Sequence, residues 1–355
     1  MPIQRFTAEN FRCLEKIELD VHPHFNLIHG ANASGKTSLL EALAYLGRGK
    51  SFRGAPPAQL IRYGADAFVL FGRVETGGHV ASLGVRNGRH GLEVRIDGVN
   101  DAGTAGLAEA LPLQVIDPDV HNLVAGGPDE RRRFLDWIAF HVEPGYLDLW
   151  RRFRRALRQR NVALKNGAPS DEMHGWNIAF VELARRLDAG RQHALHAAMA
   201  SLDKIGTALL GSSVGFEYQR GWSGELPLQT TLEATIERDL QLGGTQAGPH
   251  RADLKIIQDE RRARKLVSRG QQKLLAAAMV LAATETAQAA LQRPLLLLLD
   301  DPAAELDADS LGRLMERVVA LGCQVVATSL EPEIPGFPPT PALFHVERGV
   351  LKRTP

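Results

Sequence analysis

The spacing of hydrophobic and polar positions divides the first third of the chain into strand-like and helix-like segments. Residues 3–28 have the pattern of two strands around a turn, the second strand being 25–28, and a helical period follows over 37–46. Over 67–99, short β-rich runs alternate with turn residues, which predicts an antiparallel meander. We therefore expect a strand, a loop and a helix in that order, accompanied by a side sheet.

The pattern becomes helical and rich in Arg and Ala in the middle of the chain. Helical periods cover 131–139, 146–165 and 176–202. We expect a mainly helical lobe, residues 111–240, to be inserted between two parts of one domain, residues 1–110 and 241–355.

Further strands and one long helix are predicted in the last 140 or so positions. The predicted elements are strands at 216–222, 253–257 and 263–267, followed by a helix at 271–291. Continuous apolar runs at 295–299 and 323–327 are typical of strands that are buried on both faces of a parallel sheet. The order of elements predicts an α/β fold.

Composition and charge narrow the class of protein without naming it. The 355 residues are 44% hydrophobic and 23% charged with a formal net charge of +1, so the chain should fold and gives no global electrostatic case for nucleic acid. Cys13 and Cys323 lack CxxC spacing, which argues against a disulfide framework or a zinc site and favours the reducing cytoplasm. The longest apolar stretch, 274–283, is too short to span a bilayer, so no membrane association is expected.

A phosphate-binding sequence connects the strand predicted at 25–28 to the helix predicted at 37–46. It matches GxxxxGK[ST] and consists of Gly30, Ala31, Asn32, Ala33, Ser34, Gly35, Lys36 and Thr37. In such a loop the backbone N–H groups point at the β-phosphate, the lysine reaches the β- and γ-phosphate oxygens, and the threonine hydroxyl binds Mg²⁺. The sequence therefore predicts ATP and Mg²⁺ as ligands. The alternative is a glycine-rich turn that only caps the helix.

Two acids follow the apolar run 295–299. Asp300 is the predicted carboxylate ligand of Mg²⁺. Asp301 is predicted to orient or deprotonate the attacking water, so that Lys36, Asp300 and Asp301 are the candidate catalytic residues. The alternative for Asp301 is a turn or N-cap acid ahead of Pro302.

The segment that opens the long helix resembles the signature motif of ABC-type ATPases. In that motif a Ser and a Gly at a helix N-terminus form a second anion site, and the matching residues here are Ser268, Gly270 and Gln271. Because the chain already has one phosphate cradle, the expected ligand of the second is the γ-phosphate held by another copy, which predicts an ATP-dependent homodimer. The residues from Asp300 to Asp307 resemble the D-loop that crosses the dimer seam in such ATPases, so Asp307 is expected at the nucleotide. Alone, the motif could be only a capped helix.

Beyond these motifs, short runs along nearly the whole chain resemble the RecF family of bacterial recombination and gap-repair ATPases. The runs are NFR at 10–12, GKSFR at 49–53, GP at 127–128 with RRRFLD at 131–136, QRN at 159–161, and GPHR at 248–251 with DL at 253–254. The resemblance implies an ABC-type P-loop ATPase head like that of SMC proteins, with a mixed sheet, flanking helices, an antiparallel side sheet and an inserted helical lobe. The absence of a sustained heptad repeat argues against a long coiled coil.

The resemblance also implies a function. ATP drives homodimerisation on DNA, either duplex or a junction of single and double strands, and weak, DNA-stimulated hydrolysis releases the clamp. RecR and RecO act with it in loading RecA at gaps, in repair, recombination, replication and the SOS response. Two alternatives stay open at this point: a transport ATPase subunit, and an SMC-like structural head that binds ATP without turnover.

The motifs depart from the transporter pattern in four places. Arg269 replaces a signature Gly, Asp301 replaces Glu, and Ala304 replaces the usual D-loop Ser. No histidine follows the predicted strand that ends at Ala327. These differences weaken the transporter interpretation.

Two basic clusters are candidate DNA contacts. The first, on one predicted helix, comprises Arg151, Arg152, Arg154, Arg155, Arg158, Arg160 and Lys165, and the second, at a predicted hairpin, comprises Arg261, Arg262, Arg264 and Lys265. Few aromatic residues interleave them, which favours contact with the duplex backbone over base stacking, although each cluster could be a solvated surface. Arg12 is expected either to contact nucleotide or to be a surface cation, and His250 to be a structural loop residue.

Overall fold

The computed structural model describes residues 2–76, 78–100, 103–223, 225–258, 261–262, 268–338 and 340–354. In these ranges the strands are β1 Ile3–Phe11, β2 Leu14–Asp20, β3 Phe25–His29, β4 Ala67–Thr76, β5 His79–Gly88, β6 Gly91–Ile96, β7 Val99–Asn100, β8 Leu113–Ile116, β9 Val214–Gln219, β10 Asp253–Gln258, β11 Arg261–Arg262, β12 Leu296–Leu299, β13 Gln324–Ser329, β14 Ala342–Glu347 and β15 Val350–Arg353. The α-helices are α1 Lys36–Arg48, α2 Gly103–Ala110, α3 Asn122–Ala125, α4 Pro128–Val142, α5 Tyr146–Lys165, α6 Ser170–Leu210, α7 Leu228–Ala234, α8 Ile236–Leu242, α9 Arg269–Leu291 and α10 Ala308–Ala320.

The chain forms two compact units, and their borders differ from those expected of the inserted lobe. Unit 1 comprises 1–120 and 292–355, and unit 2 comprises 121–291. The sequence places the lobe at 111–240, but β8 pairs with β12 and so belongs to unit 1. Residues 241–291 belong to unit 2 because β10 pairs with β9 and α9 packs on α6.

A six-stranded sheet, in the order β15-β14-β3-β13-β12-β8, forms the centre of unit 1. From β14 to β8 the neighbouring strands are parallel, and β15 is antiparallel to β14. Every residue of β12 is buried, as predicted from its unbroken run of leucines. The parallel arrangement puts the carboxyl ends of β3, β12 and β13 at one edge of the sheet, where ligands bind in open α/β folds.

An antiparallel side sheet, in the order β2-β1-β4-β5-β6-β7, completes unit 1. The predicted meander over 67–99 is present, but the two strands predicted for 3–28 are three, because 14–20 forms a hairpin with β1. Phe11, Tyr45 and Phe68 meet edge to face with ring centroids 5.0–6.2 Å apart. Each aromatic buried here stabilises the contact between sheet and α1 by about 1.5–3 kcal/mol.

Unit 2 is mainly helical, as predicted. The three predicted helical periods lie in α4, α5 and α6, and α6 is 41 residues long. The predicted strands at 216–222 and 253–257 correspond to β9 and β10, whereas 263–267 lies outside the described residues. Helix α9 is long and apolar enough, by length and composition, to cross a membrane, but 72% of its apolar 18-residue stretch is buried inside the protein, as is usual for a core helix.

Candidate nucleotide site

The phosphate loop connects β3 to α1 through a backbone that glycine permits. Gly30 and Gly35 have φ values of 155° and 115°, where other residues are strained. A Cβ atom added to Gly30 would lie 2.3 Å from the carbonyl oxygen of Val346. The loop therefore holds its curve because glycine stands at both ends, with α1 beginning directly after Gly35.

The side chains of the loop fit an anionic ligand. Lys36 Nζ curls back and donates to the carbonyl oxygens of Gly30 and Ala31, at 2.6 and 2.8 Å. Burial lowers the pKa of Lys36, and the charges of Asp301 and Asp300 act in the opposite direction. The hydroxyl of Ser34 is buried and has no hydrogen-bond partner among the described residues. Both groups, together with the N-terminal N–H groups of α1, suit a phosphate chain.

Thr37 and Asp300 meet although 263 positions separate them. The Thr37 hydroxyl donates to Asp300 Oδ1 at 3.0 Å. Burial raises the pKa of Asp300, while hydrogen bonds from Thr328 and Thr37 lower it. A hydroxyl and a carboxylate oxygen side by side are hard oxygen donors of the kind that Mg²⁺ prefers, so the residues fit the predicted ion.

Thr328, at the end of β13, holds the two acids in place, and the sequence pattern assigns it no such role. Its buried hydroxyl donates to Asp300 Oδ1 at 2.8 Å and accepts from the backbone N–H of Asp301 at 3.0 Å. The signal in the sequence is its position directly after the apolar run 323–327, where transporters have a histidine and this chain has none. Thr328 therefore holds the carboxylate of Asp300 and the backbone of Asp301 relative to the sheet.

Asp301 lies next to the site and also begins a turn. Its φ of 47° is in the left-handed region, which Asp tolerates better than most residues. The carbonyl oxygen of Asp301 accepts from Ala304 N–H at 3.0 Å, which is the turn foreseen as the alternative interpretation. Its negative charge also raises the pKa of Lys36, so the carboxylate is close to the phosphate loop.

The signature segment forms a reciprocal helix cap at the start of α9, in unit 2. The Ser268 hydroxyl accepts from Gln271 N–H at 3.3 Å, and Gln271 Oε1 accepts from Ser268 N–H at 3.1 Å. This is a capping box, with Gly270 between its two members. The capped helix foreseen as the alternative is therefore present, and it leaves the Ser268 O–H hydrogen able to donate to an anion.

Asp307, predicted at the nucleotide, caps helix α10 in unit 1. Its two carboxylate oxygens accept from the backbone N–H and the hydroxyl of Ser310, each at 2.8 Å. These bonds hold the pKa of Asp307 below its usual range. The carboxylate is thus engaged in forming the helix start.

One charged group near the site, Asp117, escapes prediction from the sequence, and the predicted Arg12 is held by a buried partner. Asp117 follows β8 where Asp300 follows β12, and burial together with Asp119 and Asp300 raises its pKa to about 6. Arg12 is neither an open surface cation nor a free guanidinium, because it forms an ion pair with the fully buried Glu41. An acid after a short apolar run was the available signal for Asp117, but a run of four residues is weak.

The predicted basic clusters have different outcomes. Arg160 is fully buried and forms an ion pair with Asp239 at 2.9 Å, so it is not a surface member of the first cluster. The five other arginines of that cluster are exposed on α5: Arg151, Arg152, Arg154, Arg155 and Arg158. Arg261 and Arg262 form β11, and the remaining two members of the second cluster lie outside the described residues. His250 is structural as predicted: its Nε2 bonds the carbonyl oxygen of Thr245, and burial lowers its pKa to about 4.

Sequence comparisons give a consistent assignment. The family model for the RecF/RecN/SMC N terminal domain matches residues 2–336. A protein of Thioalkalivibrio sulfidiphilus named DNA replication and repair protein RecF is 38% identical over 358 residues, which cover 99% of each chain. A protein of Pseudomonas fluorescens with the same name is 39% identical over 363 residues, which cover 100% of this chain and 99% of that one.

Solved structures share the fold. A structure of the recombination mediator protein RecF with ATP in the RecFOR pathway has a TM-score of 0.89 at 24% identity, covering 100% of this chain and 98% of that one. An Smc head domain from Pyrococcus furiosus has a TM-score of 0.60 at 15% identity, covering 100% and 96%. The predicted ATPase-head fold class is thereby confirmed. The chain belongs to the RecF family of DNA replication and repair proteins, within the wider RecF/RecN/SMC N-terminal domain family.

Proposed function

We propose that the chain is an ATP-dependent DNA clamp of recombinational and gap repair, acting in the cytoplasm. Its relatives are named DNA replication and repair protein RecF, and a solved neighbour contains ATP and is assigned to the RecFOR pathway. In this proposal, ATP joins two copies on DNA and weak, DNA-stimulated hydrolysis releases them. RecR and RecO act with the clamp in loading RecA.

The observation that carries the proposal is the meeting of Lys36, Thr37 and Asp300 at one edge of the central sheet. On nucleotide binding, Lys36 exchanges its two bonds to loop carbonyls for the β- and γ-phosphate oxygens. Thr37 and Asp300 hold Mg²⁺, which when bound neutralises charge on those phosphates. Asp301, fixed through its own N–H to Thr328, orients the attacking water.

The second half of each composite site comes from the partner copy. The Gly270 N–H lies in the first turn of α9, where N–H groups have no intrahelical acceptor, and the helix cap uses neither the Ser268 O–H hydrogen nor the side-chain NH₂ group of Gln271. Ser268, Gly270 and Gln271 therefore offer donors to a γ-phosphate held by the other protomer. Asp307 contributes by stiffening the D-loop that it ends.

Sedimentation velocity tests the dimer directly. The parent protein should sediment as a dimer with ATP and a gapped duplex and as a monomer with ADP. Lys36→Ala should remain monomeric, while Lys16→Ala, which changes an exposed lysine on β2, should behave like the parent. A Lys36→Ala protein that dimerises normally with ATP would refute the role of the phosphate loop.

Hydrolysis separates a working clamp from an SMC-like head without turnover. Asp301→Asn should bind ATP and dimerise, yet hydrolyse ATP at least about tenfold more slowly, since it loses the group that orients the water. Asp203→Asn, on the exposed face of α6, is the matched control. If neither the parent nor the control hydrolyses ATP on DNA, the structural-head alternative is favoured instead.

A further inference from the structure

Helix α5 presents five arginines that have no carboxylate partner among the described residues. They are Arg151, Arg152, Arg154, Arg155 and Arg158, and together they are called the arginine ridge. All five side chains are exposed. The one acid on this helix is Asp148, in its first turn. The ridge therefore carries a local charge that contrasts with a net charge of +1 for the whole chain.

The opposite face of α5 fixes the direction in which the ridge points. Phe153, Ala156 and Leu164 are buried in unit 2. Arg160 on the same face is held by Asp239, Thr245 and Asn177 at 2.7–2.9 Å. Because these contacts fix the helix within its unit, the ridge is presented to solvent as a preformed surface.

An unbalanced row of arginines is unfavourable unless something compensates it. Like charges three and four positions apart on a helix repel, and the ridge contains several such pairs, including Arg151 with Arg155 and Arg154 with Arg158. Helix α4 avoids this, since Arg132 and Arg133 are each paired with an acid three residues earlier. Arg132 and Arg133 on α4 are therefore paired with carboxylates, whereas the arginines of the ridge on α5 have no carboxylate partner among the described residues.

The dimensions and chemistry of the ridge match a phosphodiester backbone. Arg151 and Arg158 are two turns apart, roughly 10 Å along the helix, a length of duplex that carries about three phosphates on each strand. Trp150, the neighbouring aromatic, is already engaged, because its Nε1 donates to Asp136 at 3.2 Å and the Arg154 guanidinium stacks on it at 5.0 Å. The ridge thus offers cations for phosphates, and Arg154 already covers one face of the neighbouring indole.

We propose that the arginine ridge binds the sugar–phosphate backbone of duplex DNA without reading its sequence; this rests on the proposed function as a DNA clamp. Each guanidinium pairs with phosphate oxygens and releases the counterions condensed there. The interaction is electrostatic, so it weakens steeply with salt and is preserved when arginine is replaced by lysine.

The test uses the full chain with a non-hydrolysable ATP analogue and a fluorescent duplex of about 30 base pairs. Anisotropy titrations between about 50 and 200 mM KCl give the slope of log affinity against log salt. Arg151→Gln with Arg158→Gln should reduce that slope by about 2 and weaken binding roughly tenfold or more near physiological salt. Arg151→Lys with Arg158→Lys should keep the parental slope.

A matched control removes the same charge elsewhere. Arg5 and Arg89 are each already paired with an acid at 2.8 Å, so Arg5→Gln with Arg89→Gln should leave the slope unchanged. A ridge variant that dimerises with ATP and binds DNA with the parental slope would overturn the ridge while leaving the clamp intact. A parent protein that binds no duplex would overturn both proposals.

Discussion

At the scale of single residues, the site depends on a threonine that no motif contains. Thr328 joins the carboxylate of Asp300 to the backbone of Asp301 through one hydroxyl. Groups that orient a metal ligand typically change metal affinity by 10- to 100-fold when they are removed. Thr328 is therefore expected to affect Mg²⁺ binding before it affects nucleotide binding.

Thr328→Val tests this, since it removes the hydroxyl and keeps the branched shape. We expect the Mg²⁺ concentration needed for tight binding of a fluorescent ATP analogue to rise about tenfold. Binding measured without Mg²⁺ should be unchanged, and Thr328→Ser should restore the parental value. An unaltered Mg²⁺ requirement in Thr328→Val would contradict the role of this hydroxyl.

His250 predicts a pH dependence of stability. The unfolded chain titrates this histidine near 6.5, whereas the buried ring in the folded protein has a pKa of about 4. Between these values the unfolded state binds more protons, so stability falls as the pH is lowered. The loss attributable to His250 approaches about 3 kcal/mol near pH 4.

Urea unfolding of the parent and of His250→Gln measures that contribution. The difference in unfolding free energy between the two proteins should shrink as the pH falls from about 7 to about 4. Other groups that titrate in this range, including Asp117 with a pKa of about 6, are common to both proteins and cancel. A difference that stays constant with pH would show that the ring does not titrate as its burial requires.

A residue of the site could be predicted when a recognisable pattern in its own stretch of sequence marks it, and not otherwise. The phosphate loop is a continuous stretch, and Asp300 and Asp301 follow an apolar run, so both have a sequence pattern. Thr328 and Asp117 come close to the acids only through strand pairing in the sheet. Pairing between distant strands leaves no mark in the spacing of residues along one strand.

At the scale of elements, the start of α9 caps the helix and, in the proposed dimer, also binds the partner's γ-phosphate, so one substitution should remove both roles. Ser268→Ala should lose the helix cap, which costs about 1 kcal/mol, and should also lose a donor to the partner's γ-phosphate. Ser268→Asp separates the roles, because an aspartate accepts from Gln271 N–H as serine does but repels phosphate. We expect Ser268→Asp to unfold like the parent in urea and to fail to dimerise with ATP. An Ser268→Asp protein that dimerises normally would exclude this helix start from the seam.

Several strands escaped prediction for identifiable reasons. Strand β8 has only four residues and adjoins a helical region, so the hydrophobic pattern places its run LQVI in the helical lobe. Strand β2, LEKIELD, carries charges at its exposed positions, so the pattern over 3–28 does not separate it from the turn. Strand β14, ALFHVE, does alternate between buried and partly exposed positions, and this period of two was available in the sequence. The short length of β8 and the charged positions in β2 made these strands hard to predict, more than a weak β-propensity of their residues.

At the scale of the whole molecule, a composite site can be tested by complementation. Lys36→Ala has a defective phosphate loop and Ser268→Asp a defective signature, so neither should hydrolyse ATP alone. Mixed in equal amounts, they should form heterodimers in which one of the two sites is intact. Because neither variant pairs with itself, the dimers that form are heterodimers, and the mixture should reach at most about half of the parental ATPase rate. A mixture as inactive as its components would mean that each chain completes its own site.

The division into two units explains why domain borders were harder to predict than domain content. The expected border at 240 lies between the predicted strands at 216–222 and 253–257, yet β10 and α9 complete unit 2 through pairing and packing with earlier elements. The predicted secondary structure therefore puts the end of the lobe at 240, whereas packing and strand pairing put the end of unit 2 at 291. Assignment of α9 to unit 2 also means that the signature and the phosphate loop belong to different units.

In the proposed dimer, the mutual bonds between Ser268 and Gln271 affect how quickly two protomers associate. A binding element that must fold as it docks loses conformational entropy at that moment, and association slows. Here the Ser268–Gln271 turn is already ordered in the single chain. Little of the free energy of binding the partner's γ-phosphate is therefore lost in ordering this turn. The lifetime of the proposed dimer on DNA would then be set by hydrolysis at the γ-phosphate, because the start of α9 needs little rearrangement.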